Sequence, residues 1–397
     1  MLHCTRRRGY CGKVQDVQGL KPGSKKRFFL KKEAKTFIYY GARRMHRVPK
    51  GSKVFWFFFS KKNCLPSLAP GVLMPTITAN GLQFAYDEAG SGPDIALCLH
   101  GFPESRFSWR HQLPVLAEAG WHAVAPDLRG YGDTSRPVGR SAYKIDNLVA
   151  DAAALFDAFG ARRRLLVAHD WGAIIAWQFA LRRTRPLDGL VIMNVPHPAV
   201  ANEVARRSLA QLRRSWYVFF FQLPVLPEMF LGARRARFIG EAFRGMAVDK
   251  SAFPEAVLAH YRELALRPGA LTAMVNYYRA NLVTLARQGA SPRIEVPTLM
   301  VWGVEDTALG IEMTEGYGPY VADFTLNRLP GVSHWVQQEA PAAVNARLLA
   351  WMGARGLVLN GQVDGPGDGS VDGPFRSPPG GDTAADGGVA AAQDPAG

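Results

Sequence analysis

In the stretch VAHDWGA, residues 167–173, Asp170 stands between an apolar run, Leu165-Leu166-Val167, and a helix-like run, Ile174-Ile175-Ala176-Trp177. The pattern is that of a strand, a sharp turn and a helix. Turns of this kind, with the sequence G-x-S-x-G, lift a nucleophilic serine above a sheet. A carboxylate in that place is ionised at neutral pH and attacks carbon without first losing a proton. On an alkyl carbon it forms an ester, whose carbonyl water can then attack. A serine would form an ether, which offers water no carbonyl. The plainer reading of an Asp before a helix is an N-cap, and only partners elsewhere in the chain decide against it.

Two partners are present. GVSHW (331–335) puts His334 on a loop between a strand and the last helix, and WGVED (302–306) puts Asp306 just after another strand, with Glu305 as the runner-up acid. The order Asp170, Asp306, His334 is the nucleophile–acid–base order of one class of triad hydrolases. All three fall at the carboxyl ends of strands, where open α/β sheets place their sites. HGFPES (100–105) follows a buried strand, and its Gly101 permits close approach of the backbone to a reacting centre. The backbone N–H groups of Phe102 and Trp171 are the candidate oxyanion hole.

These residues need a scaffold of alternating strands and helices. TITANGLQFAYDEAG reads as two strands joined by Asn80-Gly81, a hairpin signal. IALCLHG (95–101) is a continuous apolar run, as expected for a strand covered on both faces. HAVAPDLRG, the Asp170 strand and GLVIMN (189–194) follow, with an amphipathic helix over 144–159 between them. The alternation predicts a doubly wound α/β fold. It stops near Pro196-His197-Pro198, and residues 199–290 read as helical, with SWYVFFFQLP as a dense apolar block. Strand patterning resumes at VPTLMVWG (296–303) and FTLNRLPG (324–331), and a last helix runs from about Ala340 to Met352.

The expected organisation is therefore a core of residues 74–198 and 291–358, a helical cap of 199–290, and two flanking segments. Residues 1–73 read as a basic, disordered extension, either upstream of a functional start at Met74 or a membrane-surface arm. Residues 359–397 read as a disordered Gly/Asp-rich tail, too poor in apolar residues to order itself.

The net charge of +15 over 397 residues suggests nucleic acid until its distribution is considered. Residues 1–72 hold eleven Lys and seven Arg against one Asp and one Glu, so the other 325 residues carry a net −1. A basic domain surface for nucleic acid is thus not expected. The four cysteines have no framework or metal spacing, and Val54–Phe59 is too short to span a bilayer. The expected compartment is the cytoplasm, without a membrane span. No metal cluster, phosphate loop or cofactor motif is seen, so no cofactor is expected.

From about Pro75 to Gly356 the chain resembles the epoxide hydrolases of the α/β-hydrolase superfamily. HGFPESRFSWR, DLRGYGDTSRP, VAHDWGA, NVPHP, SWYVFFFQLP, NYYRANL, VWGVED and GVSHW carry the resemblance. It implies an α/β-hydrolase fold and two cap tyrosines that hydrogen-bond the epoxide oxygen. By motif position these are Tyr217 and Tyr278, with Trp216 and Tyr277 as the neighbours to tell apart. It also implies an auxiliary role for Glu104, set against a solvent-facing helix start, whereas His169 and His197 read as structural. The partners implied are a small hydrophobic epoxide and water, with Phe219, Phe220 and Phe221 suggesting an apolar pocket, in a monomer or homodimer. The rival readings are a haloalkane dehalogenase and a non-catalytic ligand-binding homologue. The first usually has Asn where Phe102 stands; the second commonly loses a triad member, and none is missing here.

Overall fold

The computed structural model describes residues 74–286 and 292–359. The predicted extension and most of the predicted C-terminal tail lie outside these residues.

Eight strands form one sheet in the order β1-β2-β4-β3-β5-β6-β7-β8. β1 (Thr76–Ala79) and β2 (Leu82–Ala89) form the expected hairpin. Asn80 and Gly81 turn the chain at φ 47° and 71°, the left-handed pair that a two-residue hairpin loop needs. β2 runs antiparallel to β4 (His122–Pro126), and from β4 onward the sheet is parallel through β3 (Asp94–Leu99), β5 (Arg163–His169), β6 (Gly189–Met193), β7 (Thr298–Gly303) and β8 (Phe324–Leu329).

Every residue of β3, β6 and β7 is buried. Helices cover both faces, so these strands lack the polar–apolar alternation of a one-sided sheet. Two apolar clusters result, one on each side. One contains Trp177, Phe156 and Phe179; the other contains Trp109, Trp121 and Trp351. Burying side chains of this size contributes about 1.5–3 kcal/mol each, which anchors the strand ends that carry the chemistry.

Between β6 and β7 the described residues are helical, from Pro198–Arg207 to Ala270–Ala286. The longest cap helix, Leu226–Met246, is broken at Ala233–Ala236, where Arg234, Arg235 and Ala236 take positive φ. The loop after β4 is held by Arg106, whose guanidinium meets Asp87, Asp127 and Asp133. Asp127 also accepts the Arg106 and Asp133 backbone N–H groups. The acids of DLRGYGD are therefore loop struts. No helix among the described residues is long and apolar enough to cross a membrane.

Candidate active site

β5 ends at His169, and Asp170 makes the turn into the helix Trp171–Leu181 at φ 47°, ψ −122°. A non-glycine residue in this region costs about 1–3 kcal/mol and persists only when its surroundings over-determine it. They do so here through small neighbours. A Cβ on Gly101 would collide with the Asp170 side chain, and one on Gly172 with the Leu99 carbonyl. Asp170 makes no side-chain capping bond to its helix, so the N-cap reading fails on geometry. Its Oδ1 accepts instead from the Phe102 backbone N–H at 2.6 Å.

The HG turn is shaped by two buried groups. His100 accepts the Leu128 N–H at Nε2 (3.0 Å), which leaves Nδ1 to donate to the Gly101 carbonyl at 2.9 Å. Glu104 accepts the Gly101 N–H at 3.1 Å. Both peptide groups of Gly101 are thus fixed, and the next amide, that of Phe102, is aimed at Asp170.

On the other side of the carboxylate, His334 Nε2 lies 3.6 Å from Asp170 Oδ2, and its Nδ1 lies 2.6 Å from Asp306 Oδ2. Asp306 Oδ1 accepts the Ala308 and Leu309 amides, and Oδ2 also accepts the Asn194 side-chain amide at 2.7 Å. Burial alone would raise the Asp306 carboxyl. His334 and these donors outweigh it and hold the acid below its ordinary range. Asp170 shows the same balance of burial against His334 and the Phe102 amide, and is also lowered. Burial opposes charge on His334, but Asp306 and Asp170 outweigh it and push the imidazole up to about 10.

The cap closes the site with aromatics. Tyr278 packs edge-on to Trp171, Phe102 and Phe221 at centroid separations of 5.0, 5.5 and 4.9 Å, and Tyr217 lies 6.0 Å from Tyr278. Burial raises both phenols well above 10, and the Asp170 charge raises them further. Both therefore stay protonated and feel the carboxylate. The neighbours separate cleanly. Tyr277 donates its hydroxyl to the Arg129 carbonyl at 2.8 Å, and Trp216 is exposed.

One open reading narrows, one gains specific partners and one changes. Glu104 is buried, not solvent-facing, and accepts from Gln337 and Gln338 as well as Gly101. His169, read as structural, fills that role through specific hydrogen bonds. It joins Glu104 Oε2 at 2.8 Å to the His334 carbonyl at 2.8 Å, with its ring 4.7 Å from the His334 ring. Of the three phenylalanines, Phe221 alone is buried against the site, whereas Phe219 is 53% exposed, because one helix face cannot hold three consecutive residues. Asn194, which braces Asp306, escaped the sequence reading. Its place directly after a buried strand, in the position homologous in the sheet to the ends of β5 and β7, was the available signal.

The α/β hydrolase fold family matches residues 97–341, more than half of the chain. Epoxide hydrolase 4 of Mus musculus is 36% identical over 282 residues, which cover 70% of this chain and 78% of that protein. Epoxide hydrolase A of Mycobacterium tuberculosis is 33% identical over 311 residues, covering 70% and 96%. The chain belongs to the epoxide hydrolase family of α/β hydrolases. Among solved structures, an epoxide hydrolase of Bacillus megaterium, determined with an inhibitor, superposes with a TM-score of 0.66 at 28% identity. That match covers 70% of this chain and all of the other. A family member from Mycobacterium thermoresistibile, epoxide hydrolase A, gives a TM-score of 0.59 at 30% identity.

Proposed function

We propose that this chain converts an epoxide to a vicinal diol through a covalent ester on Asp170. The observation that carries the reading is the setting of one carboxylate between a His–Asp pair and two protonated cap phenols.

Because Oδ1 is engaged by the Phe102 amide, Oδ2 is the attacking atom. It bonds to an epoxide carbon while the carbon–oxygen bond breaks. The oxygen leaves as an alkoxide, a poor leaving group in water, and takes its hydrogen bond and proton from Tyr217 or Tyr278. Oδ1 becomes the ester carbonyl, already facing its donor. His334, oriented by Asp306, takes a proton from water, and the hydroxide adds to the ester carbon. The oxyanion on Oδ1 is held by the amides of Phe102 and Trp171. Collapse releases the diol with the former Oδ2, which takes the proton held on His334; the remaining proton of the water restores the tyrosine, and the water oxygen stays on the ionised Asp170.

Glu104 has a positioning role in this scheme. It ties the HG turn to Gln337 and Gln338 behind His334, so one buried carboxylate sets the distance between oxyanion donor and base. The aromatic lining of Phe102, Phe221 and Tyr278 favours an apolar aryl or alkyl epoxide.

The test is diol formation by the full chain from aryl and alkyl epoxides, with haloalkanes alongside and Asp170→Ala as the control. His334→Gln is added to trap the ester, read as a gain of one epoxide mass on the intact protein. Diol from the wild type, none from Asp170→Ala and an adduct on His334→Gln are expected. Halide release without diol moves the assignment to a dehalogenase. A folded wild type that binds epoxides yet turns over none of them moves it to a binding protein.

A further inference from the structure

Residues 209–238 of the cap contain most of the large apolar side chains exposed among the described residues. Leu209, Trp216, Phe219, Val225 and Met229 are each more than half exposed, and Phe230 is 43% exposed. They are not scattered. Trp216 stacks toward Phe220 (5.9 Å), Phe220 meets Phe230 (5.7 Å), and Phe230 meets Phe238 (4.6 Å). One continuous aromatic strip therefore runs from the short helix Trp216–Phe220 onto the broken helix Leu226–Met246. Monomeric soluble proteins rarely leave so large an apolar face open without a partner.

The charge around the strip identifies the partner. Residues 198–246 hold eight Arg, no Lys and only three acids, all Glu. At one end lie Arg213 and Arg214, directly before the strip. At the other, the break in the helix brings Arg234 and Arg235 to a pocket that Arg237, Arg262, Glu263 and Arg267 also line, where Arg262 is paired with Glu255 and Arg267 with Asp133, so that Arg234 and Arg235 carry the surplus charge. Apolar and aromatic residues flanked by cations form the pattern of a surface that lies in a bilayer interface, with rings among the acyl chains and cations among anionic headgroups. Guanidinium forks match phosphate geometry. A second copy of the chain fits poorly. A two-fold contact sets identical patches together, which here would press arginine against arginine.

We propose that this face of the cap docks on an anionic phospholipid surface. Tyr217 sits on the same short helix as the strip's Trp216, so docking would bring the site toward lipid-dissolved substrates. The inference rests on the surface alone and not on the chemistry at Asp170.

The test is hydrogen exchange by mass spectrometry on the full chain, with phosphatidylcholine vesicles that do or do not contain phosphatidylglycerol. Peptide resolution matters because the basic first 72 residues would themselves attract anionic lipid. Protection of residues 209–230 by the anionic vesicles is expected. Phe219→Ser/Met229→Ser should abolish that protection while diol formation from a water-soluble epoxide is unchanged. Arg234→Ala/Arg235→Ala should weaken vesicle affinity roughly thirtyfold. Protection confined to the N-terminal peptides overturns the proposal. So does protection of 209–230 without vesicles that grows with protein concentration, which would assign the strip to a second copy.

Discussion

Replacing Asp170 by asparagine keeps the shape of the side chain and removes its charge, as alkylation of the carboxylate would. The group that responds is His334, held up at about 10 against the opposing effect of burial by Asp306 and Asp170. Asp170 Oδ2 is 3.6 Å from His334 Nε2. A unit charge about 4 Å away contributes about 4 kcal/mol at an effective dielectric of ~20. About 1.4 kcal/mol corresponds to one pH unit, so loss of the Asp170 charge should lower the imidazole by about three units, toward neutrality. The free enzyme would thus keep His334 protonated as a counter-ion for the nucleophile, and the ester would release it to act as a base. The assay is an NMR titration of the His334 ring in the wild type and in Asp170→Asn. Ester hydrolysis in single turnovers should rise with pH through the lowered value and then level off, since the neutral ring is the base. The alkylation step should stay flat as pH falls through mild acid, because Asp170 is held below the ordinary carboxylate range. A His334 that titrates within about one unit of its wild-type value in Asp170→Asn would refute the electrostatic argument.

Tyr217→Phe and Tyr278→Phe, each introduced beside His334→Gln, should slow appearance of the mass adduct by about 10²-fold, and the pair by more; Tyr277→Phe, which loses only a bond to the Arg129 carbonyl, should not. Gly101→Ala should abolish diol formation, because the new Cβ overlaps the Asp170 side chain, and a folded variant with wild-type turnover would show the contact to be unimportant. Asp151→Ala should cost about 3–5 kcal/mol in urea unfolding, since it strands the buried Arg129 guanidinium and frees Asn80 of the β1–β2 hairpin; Asp146→Ala, whose partner Arg182 and own side chain are exposed, should change stability by less than about 1 kcal/mol.

Much of the architecture was legible in the chain because its signals are local. Continuous apolar runs marked β3, β5, β6 and β7, Asn80-Gly81 marked the hairpin, and the end of strand–helix alternation near Pro198 marked the helical insertion. The members of the site were legible by order and by place. Asp170, Asp306 and His334 each follow a strand, and a parallel sheet gathers such positions at one edge. Residue types and order were therefore determined by the sequence alone. Only the tertiary structure decided which neighbours of those residues matter. Tyr277 and Tyr278 are adjacent in sequence, and a helix turns them to different partners, one a backbone carbonyl and the other the surroundings of Asp170. His169 and Asn194 look unremarkable in the chain, and Glu104 stands out only through the family resemblance. Their roles come from buried hydrogen bonds that span 65 residues between Glu104 and His169, and 112 between Asn194 and Asp306. Such pairings leave no periodic or spacing signal. They exist because a buried polar group must find a partner wherever the fold brings one near, and sequence distance carries no information about where that is.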